Sequence, residues 1–298
     1  MRLAGAVNPL YRSASDTMVA DLVEPDRRSD AYSVMRLANN LGISIGPLVG
    51  GLLVSTSYKL GFLGAAVGMA AYGVMILLLF HETLPGLSAG AGSKPPAPRE
   101  RWGGYPAILS DGTFMRFTLN FTLTTVTTVL IWTLMPVHAN RNYGVPENLY
   151  AWIPFTNASM VVALQTLTTQ KVKRYPVLLA MTIGSGLYAL AVGGVGLAGG
   201  LGGFWVCMVV MTFGEMILAP TSSTYVANIA PVDKRGRYIS LFSLYWPVAS
   251  GVGPLMGGVL NDTLGPGAIW AGGFLIGALS TLAFLSFYLQ QRRAVAAV

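Results

Sequence analysis

Residues 20–53 read ADLVEPDRRSDAYSVMRLANNLGISIGPLVGGLL, and residues 227–260 read ANIAPVDKRGRYISLFSLYWPVASGVGPLMGGVL. Laid over one another at a shift of 207 residues, without a gap, the two agree at 11 of 34 positions: Ala20, Asp26, Arg28, Ser33, Leu37, Gly46, Pro47, Leu48, Gly50, Gly51 and Leu53. In each copy the end of one apolar run passes through a charged loop into the next apolar run. Self-similarity over such a length marks a duplicated bundle.

Outward from this repeat the chain is a series of apolar runs, near residues 1–23, 31–54, 60–81, 113–137, 148–169, 176–198, 203–229, 238–260 and 267–290. A helix of about 20 residues crosses the hydrocarbon of a bilayer. The runs are too long for barrel strands and lack the alternation that strands show. Hydrophobic residues make up 53% of the 298 positions and charged residues 10%, against about 25% charged in an average soluble domain. The reading is an all-α membrane protein with about nine transmembrane helices. Before the Pro- and Gly-rich interval stand three spans (residues 1–86), residues 87–112 read as a linker, and residues 113–298 carry six spans. The repeat register puts the counterpart of residue 113 about 94 residues ahead of Met1, so three further spans are expected upstream, as in a fragment or a misassigned start codon.

The net charge of +7 raises nucleic acid as a partner, but placement of the charges argues against it. Thirteen lysines and arginines fall on one alternate set of connecting segments, only Lys59 and Arg141 on the other, and Arg2, Arg12, Arg36 and Arg116 in or at the ends of spans. This is the positive-inside bias, which places the C-terminus in the cytoplasm. Cys207 stands alone in an apolar run and forms neither a disulfide framework nor a zinc site. His81 and His138 lie at span ends and form no metal set, and the GxGxxG spelled by Gly194, Gly196 and Gly199 ends an apolar run with no strand before it. No phosphate-binding loop is present, so neither ATP nor a nucleotide cofactor is expected, and no clustered His, Cys or carboxylate set points to an enzyme.

Gly42, Gly46, Pro47, Gly50 and Gly51 in LGISIGPLVGG resemble the G-x-x-x-G-P-x-x-G-G motif on the fifth span of drug:proton antiporters of the major facilitator superfamily. Gly253, Pro254, Gly257 and Gly258 in SGVGPLMGG repeat it where an eleventh span would fall. Glycines at four-residue spacing let another backbone approach closely, and proline permits a bend, so the two copies are expected to form the surface on which two bundles slide. The resemblance implies a secondary transporter of the multidrug-efflux kind, multi-pass in the plasma (inner) membrane, whose partners are the lipid bilayer, a small-molecule substrate and protons. Asp26 with Arg28, and Asp233 with Arg235, mark its equivalent cytoplasmic loops. Asp21 takes the position of an acid that in the family pairs with the loop between spans two and three. That loop is absent here, and its second-half counterpart Gln170–Pro176 keeps Lys171, Lys173 and Arg174 without the glycine and aspartate, so Asp21 is expected to lack its partner.

Glu215, in TFGEMILAP, is an acid near the middle of a span, where an ionised carboxylate costs about 2.5–3.5 kcal/mol on insertion scales. It is expected to carry protons or meet a cationic substrate; otherwise it is a neutral acid bonded to Thr212 or Ser222. Arg12 and Asp16, four apart on one helix face, form either a structural ion pair or part of a proton or substrate path. Asn8 aligns with Glu215 in the repeat and is a further cavity candidate. Asn120, Trp132, Gln165, Tyr245 and Trp246 either line a cavity or pack helices. The function expected is proton-coupled efflux of small organic molecules by alternating access. A proton symporter or facilitator importing a metabolite, or an inactive fragment, stands as the alternative.

Overall fold

A computed structural model describes residues 14–79 and 104–296. Among them every regular element is a helix. Residues 14–22 form α1, followed by α2 (Arg28–Thr56), α3 (Tyr58–Leu79), α4 (Tyr105–Leu109), α5 (Gly112–Tyr143), α6 (Glu147–Tyr150), α7 (Trp152–Val172), α8 (Val177–Leu197), α9 (Leu201–Ile229), α10 (Arg235–Phe242), α11 (Tyr245–Leu264) and α12 (Pro266–Ala296).

The boundaries follow local chemistry. Asp111 caps α5, its Oδ1 accepting from the amides of Thr113 and Phe114 at 3.1 and 3.0 Å, and Gly144 ends the helix in the left-handed region at φ 63°. Pro266 opens α12 directly after Gly265, whose φ of 91° ends α11. The apolar run 238–260 is broken between α10 and α11, because Pro247 has no amide to offer the carbonyl of Ser243.

Six of the described helices or helix pairs are long and apolar enough to cross a membrane, and this falls short of nine. The run 1–23 is described only from residue 14, within α1. The runs 31–54 and 148–169 form α2 and α7, helices of 29 and 21 residues. Both lie against α9 and against each other, and Ser33, Arg36, Asn157, Gln165 and Thr169 stand in that contact.

The core of the bundle is α5, α8, α9 and α12. Phe117 anchors an aromatic cluster with Tyr225, Phe284 and Phe242 at centroid distances of 4.3, 5.7 and 6.0 Å. Asn120 is buried between helices. Its Nδ2 donates to Ser280 O at 3.1 Å, Ser280 Oγ donates back to Asn120 O, and Thr124 joins Ser280, so this polar patch fastens α5 to α12. Trp132 and Tyr245 pack against the same core and Trp246 is exposed.

Helices α8 and α9 meet through small residues. A Cβ added at Gly214 would stand 2.8 Å from Gly184 O, and one at Gly184 would stand 3.3 Å from Gly214 O. Gly214→Ala is therefore expected to destabilise the bundle by about 1–3 kcal/mol, since the obstacle is backbone and cannot rotate away. Thermal unfolding in detergent checks this against Gly202→Ala, where nothing lies within 4 Å and no loss is expected.

Candidate functional site

Glu215 lies midway along α9 and turns toward α2 and α7. Its Oε1 is 2.6 Å from Nη2 of Arg36 on α2, and the two side chains are only 19% and 16% exposed. Its Oε2 accepts a 2.7 Å hydrogen bond from Asn157 Nδ2 on α7. Asn157 also donates to Thr212 Oγ1 at 2.9 Å, and Thr212 donates to the carbonyl of Met208 one turn back. Oε2 thus has a hydrogen-bond donor and Oε1 the positive charge of Arg36 beside it.

The pairing differs from the alternative drawn from the sequence. Thr212 and Ser222 are not the partners of Glu215: Thr212 bonds Met208 O and Asn157, and Ser222 bonds Ala219 O. A single long cation reaches across from the first repeat instead. The Arg36 contact is close but off the hydrogen-bond line, so that Nε and Nη2 of Arg36 have no aligned acceptor among the described residues. The attraction is mainly charge on charge, and it can be released without dismantling a bidentate fork. Tyr188 on α8 is buried near Glu215 and Thr128.

A second cluster joins the repeats at one end of the bundle. Arg28 donates through Nη2 to Ala20 O at 2.7 Å and through Nη1 to Ala227 O at 3.2 Å and to Asn228 Oδ1. Arg235 donates through Nε to Ala227 O and through Nη1 to Ala20 O, both at 3.2 Å, and through Nη1 to Asp21 Oδ1 at 2.6 Å. These partners are themselves repeat mates: Arg28 with Arg235, Ala20 with Ala227, Asp21 with Asn228. Each guanidinium satisfies unpaired carbonyls in the last turns of both α1 and α9, where a positive charge also suits the helix dipole. The expectation that Asp21 lacks a partner is overturned, since Arg235 of the second repeat pairs with it. Both arginines are buried, at 5% and 9% exposure, while Asp26 and Asp233 stand exposed in the equivalent turns. Lys173 pairs with Asp30 at 2.7 Å nearby, in water-exposed positions where such a pair contributes little.

The glycine motif divides. Gly253 and Gly257 in α11 lie against α5, where an added Cβ would come 3.0 Å from Val129 and 2.3 Å from Leu134, while Gly258 has nothing within 4 Å. The second copy therefore packs within its own repeat rather than against the other one, and Pro254 sits inside α11 between the two contacts. In the first copy Gly42 is exposed with nothing within 4 Å of an added Cβ, and Gly46, Pro47, Gly50 and Gly51 lie in the second half of α2. Asp16 is in α1, and Tyr32 donates to its backbone carbonyl at 2.9 Å. Asn8, Arg12 and His81, with the linker up to residue 103, lie outside the described residues.

Two residues of the site were not singled out from the sequence. Arg36 reads there as one more basic residue at a span end, and Asn157 as one polar residue among several in α7. The signal that could have found Arg36 is its position about one helical turn inside a span that also carries Asn39 and Asn40.

A family model described as Major Facilitator Superfamily matches residues 2–254 and, in a second match, residues 117–297. The chain is 26% identical to the MFS-type transporter YqjV of Bacillus subtilis, over 98% of this chain and 71% of that protein. It is 26% identical to a Na(+), Li(+), K(+)/H(+) antiporter of Planococcus maritimus, over 85% of this chain and 64% of the relative. It is 24% identical to the multidrug resistance protein MdtH of Yersinia enterocolitica, over 98% and 71%. The crystal structure of a bacterial homologue of the iron transporter ferroportin, in its outward-facing state, superposes with a TM-score of 0.67 at 16% identity, over 90% of this chain and 66% of that one. The chain thus spans about two thirds of the length of the proteins it matches.

Proposed function

The chain belongs to the Major Facilitator Superfamily, and on that footing we propose that this multi-pass membrane protein is a proton-coupled exporter of small organic molecules. The observation that carries the reading is the Glu215–Arg36 pair, held between a helix of the first repeat and two of the second. Alternating access requires the repeats to separate at one end and then at the other. The Arg28–Arg235 cluster, which we assign to the cytoplasmic side, holds that end closed, and Arg36–Glu215 ties the same helices further along.

Protonation of Glu215 removes the negative charge that retains Arg36, so the bound proton favours the state in which α2 and α9 part. A cationic substrate at Glu215 competes with that proton, and competition for one carboxylate is the condition for exchange in opposite directions. Lipophilic organic cations fit this chemistry, and the multidrug relative supports it. An inorganic cation would compete in the same way, a second reading supported by the alkali-cation antiporter among the relatives.

Proteoliposomes carrying a pH-sensitive dye and an imposed proton gradient test both. Ethidium is expected to drive proton movement through the unaltered chain and not through Glu215→Gln. Proton movement driven by NaCl or KCl and not by ethidium would replace the first reading with the second. Proton-coupled flux unchanged in Glu215→Gln would remove Glu215 from the role.

A further inference from the structure

Pro220 lies inside α9, and a proline has no amide hydrogen for the carbonyl four residues back, which is that of Met216. Its ring also crowds that carbonyl and turns it away from the helix axis. Met216 has no exposed surface, and a buried carbonyl without a donor is costly. Helix α7 supplies the donor: Gln165, itself fully buried, gives an Nε2 hydrogen to Met216 O at 3.0 Å. The amide orientation is dictated by that partner, because a carbonyl can only accept. Gln165 Oε1 has no donor among the described residues, so the side chain is held by what its nitrogen does.

The rest of this turn is also held by side chains. Thr221 donates to Ile217 O at 2.6 Å, Ser222 to Ala219 O at 3.1 Å and Thr224 to Pro220 O at 2.7 Å. Hydroxyls that bond back onto their own helix loosen and bend it. Of these four carbonyls, those of Ile217, Ala219 and Pro220 accept from their own helix and that of Met216 from another.

We propose that Gln165 is a positioning residue for Glu215: its amide replaces the hydrogen bond that Pro220 cannot make, and so sets the turn of α9 on which Glu215 stands. This rests on reading Glu215 as the proton site. Glu215 and Met216 are consecutive, and α2 reaches both. Arg36 pairs with Glu215 directly, while Ser33, three residues earlier on the same face, shares a 2.6 Å hydrogen bond with Thr169, which accepts from Gln165 at 3.1 Å. Withdrawal of α2 therefore releases the acid from its cation and, in the same motion, frees the residue that braces the turn beneath it. The direction in which the carboxylate points is tied to whether the two repeats are in contact.

The test is a double-variant cycle on the full chain in lipid nanodiscs, because Pro220→Ala restores the missing amide and should make Gln165 dispensable. Hydrogen exchange of peptides covering residues 214–224 reads the turn. Infrared titration of the carboxyl band that disappears in Glu215→Gln reads the acid. Gln165→Met is expected to speed exchange there about tenfold and to shift the titration midpoint. Gln165→Met with Pro220→Ala is expected to match Pro220→Ala alone in both readouts. Effects that simply add in the double variant overturn the proposal.

If Gln165→Met alone yields no folded protein, recovery of folded protein in the double variant is the supporting result. Failure of the double variant while Pro220→Ala folds is the overturning one. A carboxyl band that titrates while exchange effects add leaves the proton-site reading intact and removes the role of Gln165. Suppression of the exchange effect, with no band sensitive to Glu215→Gln titrating, keeps the brace on the turn and removes the proton site.

Discussion

Arg36→Met is expected to abolish proton-coupled transport and to lower stability by about 3–5 kcal/mol, while adding Glu215→Gln returns most of that stability without returning transport. The asymmetry comes from burial. Two opposite charges 2.6 Å apart and more than four-fifths covered compensate each other's desolvation. Removing the cation leaves the carboxylate with Asn157 as its one donor among the described residues, and an unpaired buried charge is far more costly than a neutral pair. Methionine keeps much of the length and apolar stem of arginine, so lost packing contributes little. The comparison is read by thermal unfolding of the two single variants and the double. Equal losses in Arg36→Met and in the double variant would show that the stem, not the charge, matters, and would end the account of Glu215 as a site whose charge holds α2.

Loss of both cluster arginines is expected to open the other tie between the repeats. Arg28→Gln with Arg235→Gln removes charge-assisted hydrogen bonds from the carbonyls of Ala20 and Ala227 and from Asp21 and Asn228 together. Bonds of this type contribute about 1.5–3 kcal/mol each, so a shift of about 100-fold in the balance between closed and open forms is expected. Asp26 and Asp233, exposed in equivalent turns, suit spin labels after conversion to cysteine, with the buried Cys207 replaced. The unaltered pair of arginines should give one short separation by pulsed dipolar spectroscopy, and the double variant a second, longer one. Each arginine reaches both carbonyls, so either single variant should show much less than half the shift. An unchanged distance distribution in the double variant would mean that the cluster does not hold this end.

Glu215 was legible in the sequence because a carboxylate within a long apolar run has no solvent there, whatever surrounds it. Arg36 was not, because a basic residue near the start of a run has the same appearance whether it flanks a bilayer or pairs with an acid 179 residues away. Asp21 misled for a related reason. Its expected partner was sought in the loop that the family resemblance assigns to it, whereas Arg235, 214 positions on, pairs with it. Gln165 was visible as a polar residue in a span, but its use depends on α7 passing beside Pro220 of α9. The glycine motif was read as a contact between repeats on the strength of its spacing. Spacing specifies that a backbone can come close, and only packing decides that for Gly253 and Gly257 the neighbour is α5.

The bilayer as solvent, the helical class and the duplication are properties of the sequence alone, since they follow from sums and periods along the chain that do not depend on how it folds. The pairing of Arg36 with Glu215, the crossed arginines and the brace at Pro220 belong to the tertiary structure. A guanidinium can reach several carboxylates and carbonyls of equal chemistry, and the choice among them is made by which helices the core of α5, α8, α9 and α12 brings within about 3 Å of one another.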